Sequence, residues 1–410
     1  MEANPELLAA KHEVERQEGL RLQVQARLLP SLSASGSINQ RDRGLVDIAP
    51  SAPPTEQNAA ALHAYDVRLE VRQLVFDGLS SWHQNQRQKL LSKQAFLTLQ
   101  TTAIRTAAMV RQSFDSIQLR TTQVEAERRR IEEFEKIVAS AERKKSVGEI
   151  PEYEYLRAEA ELQGARAELA GAIRERGKAE QTFKRLLQIS ELGGEIQLDG
   201  QFGPRGFNLP LSDAISRAQA NRPDVEAMTV ALEAAKRNQR AQVGNYLPRF
   251  EVFASYGSRS SYYDFEVDRD GWTVGAVGQW AIFDGGASRG RQVAARAVRR
   301  AAEAKLGEIE HRVASTLHEL YQGLEQSRVA MEAQQKSVSL AARAWRDAQR
   351  LYEVGQVNFE QVLQAAMSHR RAESQFNESV YNYNALIADI EFNVGGQLQD
   401  STQLSEKWKP

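Results

Sequence analysis

The sequence predicts an internally duplicated chain of long coiled-coil helical hairpins plus four β-strands. Three observations predict this fold class: a segment that occurs twice, apolar residues that recur every seventh position, and stretches in which apolar and polar residues alternate. The duplicated segment runs from Phe76-Asp77-Gly78 to Val147-Gly148, and Phe283-Asp284-Gly285 and Val354-Gly355 repeat its two ends at the same displacement. Because self-similarity at a long fixed displacement indicates a repeat architecture, we interpret the chain as two copies of one unit.

The two copies predict two structural repeats, residues 1–210 and residues 211–410. Each repeat is expected to contain a helix, a strand pair, a long helical hairpin and then a linker or a C-terminal tail. A chain of 410 residues would ordinarily form two or three compact domains, and the internal repeat favours an elongated architecture instead.

Each copy predicts one long helix. Between Gly78 and Val147 the chain contains no proline, which favours a single helix of roughly 100 Å at about 1.5 Å per residue. An apolar spine recurs every seventh residue, the pattern of helices that pack lengthwise against neighbours. Its members are Val110, Ile117, Val124, Ile131 and Val138 in the first copy and Leu317, Leu324, Met331, Val338 and Trp345 in the second.

A second periodic run after each Val-Gly pair predicts the return helix of a hairpin. In the first copy this helix is expected from Glu152 to Ile189, after a turn at Val147–Pro151, and the second turn is expected at Val354–Asn358. Small residues that recur every seventh place let two helix backbones approach closely. They are Ala158, Ala165, Ala172 and Ala179 in the first copy and Ala365 and Ala372 in the second.

Short helices and strands precede each long helix. Helices are expected from Asn4-Pro5 to Leu29 and from Pro223 to Leu247, each stopped by a proline. Apolar and polar residues then alternate, which suits a barrel wall between lipid and water and equally a soluble half-buried hairpin. The alternating stretches are Leu32–Ile38, Tyr65–Phe76, Phe250–Tyr256 and Trp272–Ile282. Asp77 and Asp284 are expected to cap the long helices.

Three stretches lack any period and predict irregular chain. Residues 39–64 contain several prolines and are expected to form an exposed loop. Residues 189–210 are expected to be a linker with short helical or strand pieces, and residues 395–410 a tail.

Composition excludes several classes of function. Lys and Arg number 53 and Asp and Glu 54, for a formal net charge of -1, which argues against a general nucleic-acid binder. Without cysteine the chain has no disulfide framework, thiolate metal site, catalytic thiol or residue for a lipid anchor. It has no apolar run long enough for a transmembrane helix. No basic region followed by an apolar core is visible near Met1, so we expect any signal peptide to be absent from this chain.

The order of these elements resembles the TolC-like outer-membrane efflux family, and the resemblance covers nearly the whole chain. The residues that carry it are Asn4-Pro5, Leu29-Pro30, Leu247-Pro248, Leu74–Gly78, Ala281–Gly285, Ser146–Gly148 and Tyr352–Gly355. The resemblance implies a trimeric 12-stranded β-barrel, to which each chain gives four strands, continued by an α-helical barrel. Physical reasoning agrees, because four strands cannot close a barrel and about eight are the minimum.

The resemblance also implies a function. It implies an outer-membrane channel, the passive exit duct of a tripartite efflux pump or type I secretion system, which extends into the periplasm. The partners implied are two further copies of the chain, outer-membrane lipid, a periplasmic adaptor protein and an inner-membrane transporter that supplies the energy. No cofactor is expected. The heptads alone would also fit a soluble coiled-coil scaffold, which salt would release whereas a barrel needs detergent.

We expect no enzyme activity and no metal site. Only His311 and His318 share a helix face, and no His-Glu-x-x-His run, phosphate loop or nucleophile elbow occurs. The six histidines are scattered along the chain, at His12, His63, His83, His311, His318 and His369.

The hairpin tips are candidate contacts for the adaptor, because the resemblance places them at the periplasmic end. The tip residues are Lys145, Val147, Gly148 and Glu149 in the first copy and Glu353, Val354 and Gly355 in the second. Glycine permits a left-handed backbone at the turn, and this conformational role alone would also explain Gly148 and Gly355.

The resemblance places the periplasmic aperture on the first turns of the return helices. Counted from the Val-Gly pairs, Gln361 and Gln364 fall where the best-known member has acidic, cation-binding positions, and Glu154 and Arg157 are their first-copy equivalents. Glu152 lies one turn nearer the tip. Glu152 or Glu154 could ring the mouth and favour cations, or could only favour a helix N-terminus. We expect a mouth closed by helix packing and polar amides, with weak block by multivalent cations.

Overall fold

The computed structural model describes residues 4–40, 42, 63–189, 202–260 and 270–396. The helices in these ranges are α1 (Pro5–Ala26), α2 (Ser80–Ser146), α3 (Glu152–Leu187), α4 (Leu211–Asn221), α5 (Pro223–Val243), α6 (Ala287–Glu353) and α7 (Phe359–Asn393). The strands are β1 (Ser31–Gln40), β2 (His63–Phe76), β3 (Arg249–Ser260) and β4 (Asp270–Gln279). The order predicted from the sequence, with two long helical hairpins and four strands, is confirmed.

The strands form one antiparallel sheet in the order β1-β2-β3-β4. Ser31 lies opposite Arg72, and Arg249 lies opposite Gln279, so the strand ends that connect to helices share one end of the sheet. The outer strands β1 and β4 each leave one edge without a partner strand in the described chain.

One face of the sheet is apolar and exposed, as the alternation predicts. Cross-strand pairing aligns apolar residues in rows, because successive side chains of a strand point to opposite faces. The rows are Leu32, Val71, Ala254 and Val274, and Ala34, Leu69, Tyr256 and Trp272. The large members of both rows are exposed to solvent within this chain.

Aspartates cap the two long helices at the end of the sheet. Ser81 donates its backbone N–H to Asp77 Oδ2 (2.9 Å), and Ser288 donates to Asp284 Oδ2 (2.7 Å). These bonds satisfy amides that have no partner inside the helix. The predicted caps are confirmed.

Packing divides the chain into two compact units. The sheet unit comprises His12–Leu97 and Glu226–Gly307, and the hairpin unit comprises Met1–Lys11, Thr98–Val225 and Glu308–Pro410. Each takes residues from both halves of the chain, since α1, α2, α5 and α6 contribute to both. This division concerns packing, and the two sequence repeats, residues 1–210 and 211–410, stay a prediction.

Part of the heptad spine lies in the core of the hairpin unit, and its other members are half-buried. Ile117, Val124 and Leu317 are buried, which confirms the spine at these positions. Ala158 and Ala165 of α3 are fully buried in a cluster with side chains of α2 and α7. Small residues therefore do permit the close helix packing that the sequence predicted.

The linker before the second repeat is fixed to the helices around it. Arg205 Nη2 donates to the buried Asp115 Oδ1 (2.5 Å), and the Arg205 backbone N–H donates to Asn384 Oδ1 (3.0 Å). Asn384 Nδ2 in turn donates to the carbonyl of Gly203 (2.9 Å). Burial raises the pKa of Asp115, and the nearby Arg205 opposes that rise. In the described linker, residues 202–210, the expected helical or strand pieces do not form.

Several boundaries differ from the sequence prediction. Helix α1 ends at Ala26 instead of Leu29, and α5 ends at Val243, followed by a short 3₁₀ turn at Gly244–Tyr246. Strand β1 extends to Gln40 and β2 begins at His63, so the predicted loop is shorter at both ends. The rest of that loop, part of the linker and most of the tail lie outside the described residues.

Within the ranges given above, no helix combines the length and the apolar composition that a membrane-crossing helix needs.

Candidate functional site

The two hairpin turns have the same backbone geometry. Gly148 (φ 75°) and Gly355 (φ 76°) adopt the left-handed conformation. Gly148 N donates to the carbonyl of Lys145 (3.0 Å) and Glu149 N to that of Lys144 (2.9 Å). Gly355 makes the equivalent bond to the carbonyl of Tyr352 (3.1 Å). These paired bonds close a helix end by the Schellman pattern, which explains a glycine at both positions.

The turns expose one apolar side chain each. Val147 and Val354 precede the two glycines, and each is 69% exposed. The carboxylates of Glu149 and Glu353 are exposed beside them. The turn geometry needs no valine, since the bonds that close it come from the backbone, and covering a valine stabilises a complex by about 25 cal/mol per Å². The tips are therefore suited to contact with a partner.

An ion pair spans the first turn. Lys145 Nζ donates to Glu152 Oε1 (2.8 Å) and also lies 4.7 Å from the centre of the Tyr155 ring. The hydrogen bond lowers the pKa of Glu152 and raises the pKa of Lys145. The Glu152 carboxylate is thus already paired with a cation of its own hairpin. Glu154 is half-buried, and Tyr153 donates to it weakly (3.4 Å).

A second ion pair joins the two hairpins. Arg157 of α3 contacts the carboxylate of Glu360 on the first turn of α7, and both side chains are about half exposed. Of the residues that the sequence placed at the aperture, Arg157 is thus brought to the other hairpin. The sequence interpretation did not name Glu360, although it lies next to Gln361. Gln361 and Gln364 are both exposed on the same helix.

A third link joins the hairpins beside the turns. Lys144 Nζ donates to the carbonyl of Tyr352 (2.9 Å) and lies 4.3 Å from the centre of that ring. Tyr352 is buried against Phe359, with ring centroids 6.2 Å apart. The sequence interpretation named Tyr352 only as part of the turn motif and did not name Lys144 or Phe359, because the apolar heptads do not include these residues.

A fourth set of links lies farther along the helices. Arg370 of α7 contacts Glu168 of α3 and lies 3.6 Å from Glu127 of α2. Arg130 contacts the same two carboxylates. Burial lowers the pKa of Arg370, and the positive charge of Arg130 adds to this effect. Three helices therefore share one charge cluster.

These links hold the hairpin ends together with modest energy. An exposed ion pair stabilises by about 0.2–1 kcal/mol, so the Arg157–Glu360 contact opens at low cost. The apolar cluster that contains Phe359 and Leu162 is buried, and Phe359 directly precedes Glu360 in the chain. Because Phe359 at the start of α7 belongs to this cluster, apolar packing also holds the hairpin ends together.

Among the described residues, no group of three or more His, Cys, Asp or Glu side chains is placed to hold a metal ion.

Comparison with known proteins identifies the family. The family model described as "Outer membrane efflux protein" matches residues 1–187 and 214–392. A search of curated protein sequences found no match.

Solved structures share the fold. The outer-membrane channel OprN is 19% identical, with a TM-score of 0.83 over 97% of this chain and 88% of its own. The CmeC outer membrane channel of Campylobacter jejuni is 18% identical, with a TM-score of 0.80 over 98% of this chain and 86% of its own. The open state of the MtrE channel of Neisseria gonorrhoeae is 19% identical, with a TM-score of 0.79 over 96% and 87%.

The family match covers most of the chain and favours a channel over the soluble coiled-coil scaffold. The family match confirms the resemblance to the TolC-like outer-membrane efflux family that the sequence showed. The chain therefore belongs to the outer membrane efflux protein family and is an outer-membrane efflux channel.

Proposed function

We propose that three copies of this chain form the exit duct of a tripartite efflux pump or type I secretion system, closed at its periplasmic end by the Arg157–Glu360 ion pair. Outer membrane efflux proteins in general are trimeric channels that work with adaptors and inner-membrane transporters. The observation that carries the proposal is that the contact between Arg157 and Glu360 joins the second turn of α3 to the first turn of α7. The duct itself is passive, and the inner-membrane transporter supplies the energy.

The edges of the sheet support assembly from three copies. Strands β1 and β4 each present an unpaired edge in the described chain. Unpaired backbone groups are costly in lipid, so the edges must be covered. In a ring, β1 of one copy pairs with β4 of the next and keeps the antiparallel order. Three four-stranded sheets then close one barrel of 12 strands, and the two repeats, 1–210 and 211–410, supply two strands each.

The aperture is formed in this proposal by the first turns of α3 and α7. Its residues are Glu152, Glu154, Arg157, Gln361 and Gln364. Because Lys145 already pairs with Glu152, a free ring of three Glu152 carboxylates does not form, which supports weak block by multivalent cations. Substrates enter from the adaptor side when the hairpins separate.

The adaptor binds the tips in this proposal. The contact residues are Lys145, Val147, Gly148 and Glu149 of the first turn and Glu353, Val354 and Gly355 of the second. The two turns present the same pattern of an exposed valine, a glycine and an adjacent carboxylate. An adaptor that packs around the trimer would therefore meet six similar tips.

Replacing both tip valines by serine is expected to reduce transport about thirtyfold. Each Val147→Ser or Val354→Ser change removes about 1 kcal/mol of apolar burial from the contact. The turns stay intact, because backbone bonds and the two glycines hold them. Transport is measured in the native host without its chromosomal copy, as resistance to exported compounds or as secreted polypeptide.

The matched control is Val329→Ser, which removes a similarly exposed valine from the side of α6. The control is expected to transport normally, and the tip variant is expected to assemble normally. Normal transport by the Val147→Ser, Val354→Ser variant would contradict the tip proposal and leave only the turn role for these residues.

A further inference from the structure

The first five turns of α6 carry a concentration of positive charge. Between residues 287 and 307 the only acidic residue is Glu303. The basic residues there are Arg289, Arg291, Arg296, Arg299, Arg300 and Lys305. All of this segment lies in the sheet unit, directly after β4. For a chain with a net charge of -1, such a local excess is a marked asymmetry.

Three of these arginines are exposed in one stripe. Arg289, Arg296 and Arg300 recur at helical spacing, with the exposed Val293 between them. None of the three has a hydrogen bond or an ion-pair partner among the described residues. Arg291 differs, because it donates to Ser288 Oγ (2.8 Å) and pairs with Asp284 (3.3 Å). The stripe therefore presents three unneutralised guanidinium groups.

At the position of α2 that corresponds to Arg300, the charge is neutralised and the helix is covered. Ser80 begins α2 at the displacement that separates the two repeats, so Lys93 corresponds to Arg300. Lys93 Nζ pairs with Glu226 of α5 (2.7 Å), and Leu97 packs against Ala227 and Val230 of the same helix. The stripe of α6 has no such carboxylate within the described chain.

Three acidic residues of another copy's α1 are poor candidates to neutralise the stripe. Glu13 accepts from Arg16 Nε (2.7 Å), and this bond lowers the pKa of Glu13 to about 2. Glu18 accepts from Arg21 (2.6 Å), and Glu15 contacts His12 (3.0 Å). These carboxylates already have cationic or polar partners within their own helix.

The residues just before the stripe mark the edge of the membrane. Ile282 is 84% exposed and Phe283 is 89% exposed, and Trp280 beside them donates its indole N–H to the carbonyl of Tyr246 (3.1 Å). Aromatic and aliphatic side chains followed by arginines are typical of the interface between lipid tails and headgroups. The stripe thus begins at the third residue of α6, ten residues after β4 ends.

We propose that Arg289, Arg296 and Arg300 bind the phosphate groups of anionic phospholipids in the leaflet from which the helices emerge, and that Ile282 and Phe283 contact the acyl chains of the same lipids. Guanidinium groups bind phosphate oxygens in a bidentate manner. Each basic residue near an anionic surface strengthens binding about fivefold. The inference uses the outer-membrane location of the strands and is independent of the aperture and adaptor proposals.

The test compares lipids of different charge. The purified channel in detergent is titrated with phosphatidylglycerol or phosphatidylcholine, and its thermal unfolding midpoint is followed. Phosphatidylglycerol is expected to stabilise the wild-type channel at lower concentration than phosphatidylcholine. In the variant with Arg289→Gln, Arg296→Gln and Arg300→Gln, the phosphatidylglycerol concentration for half-maximal stabilisation is expected to rise about tenfold or more.

Two further variants make the test specific. Lys336→Gln, Arg343→Gln and Arg346→Gln remove three exposed charges of the same sign from the distant half of α6 and are expected to leave the lipid response unchanged. The variant with Arg289→Lys, Arg296→Lys and Arg300→Lys keeps the charge and is expected to retain most of the response. An unchanged phosphatidylglycerol response in the triple glutamine variant would overturn the proposal. If the triple glutamine variant kept the phosphatidylglycerol response but its channels showed a shifted reversal potential in a KCl gradient, the arginines would line the water-filled passage instead of binding lipid.

Discussion

Gly78→Ala is expected to reduce the yield of folded channel more strongly than a change from glycine to alanine at either hairpin turn. Gly78 has φ 66°, which costs an alanine about 1 kcal/mol. An added Cβ would lie 2.7 Å from both Cα and the carbonyl O of Gly244, and 3.0 Å from Leu247 Cβ. These are mostly backbone atoms and cannot move aside, so overpacking adds about 1–3 kcal/mol.

The matched control for Gly78→Ala is Gly148→Ala. Gly148 also has a positive φ, 75°, but an added Cβ would meet no atom within 4 Å. Only the backbone cost of about 1 kcal/mol applies there. The measurement is the amount of channel extracted in detergent and its thermal unfolding midpoint. Equal losses for the two variants would contradict the close contact between Gly78 and Gly244.

Breaking the Arg157–Glu360 ion pair is expected to open the aperture. Glu360→Gln removes the charge and keeps the shape of the side chain. A single exposed pair stabilises by about 0.2–1 kcal/mol, and three equivalent pairs in a trimer shift the ratio of open to closed channels about tenfold. The measurement is the conductance of single channels in planar bilayers at moderate salt.

Two variants test whether the effect belongs to this pair. The double variant Arg157→Glu with Glu360→Arg restores opposite charges and is expected to return the conductance toward the wild-type value. Asp347→Asn breaks an exposed ion pair with Arg350 inside one helix and is expected to change nothing. An unaltered conductance in the Glu360→Gln variant would show that the Arg157–Glu360 pair does not hold the aperture closed.

The long helices could be predicted closely because local signals define them. The absence of proline between Gly78 and Val147 and the sevenfold period predicted one helix there, and α2 spans Ser80–Ser146. The same holds for α6, because the second copy repeats the signals. The turn glycines supplied the ends, since a left-handed residue terminates a helix.

Helix α4 could not be predicted, because tertiary packing decides it. Leu211–Asn221 is short, rich in alanine and serine, and follows a linker without a period. Its fully buried Ala214 and Ala218 pack in one cluster with Leu317 and Ile390. Helices this short are marginal alone, so only the neighbouring helices reveal it.

The contacts between the hairpins were missed for a related reason. The sequence places Arg157 near the aperture by counting from the turn, but its partner Glu360 lies on a helix of the other repeat. Lys144 and Tyr352 are likewise far apart along the chain. The residue pattern along one helix does not show which exposed charge on another helix a given side chain will contact.

The mass of the detergent-solubilised particle tests the central claim most directly. The claim is that copies of this chain complete the four-stranded sheet to form a closed channel. After subtraction of bound detergent, the account predicts a particle of three chains of 45.9 kDa each. A stable monomer or dimer that still conducts ions in a bilayer would contradict it.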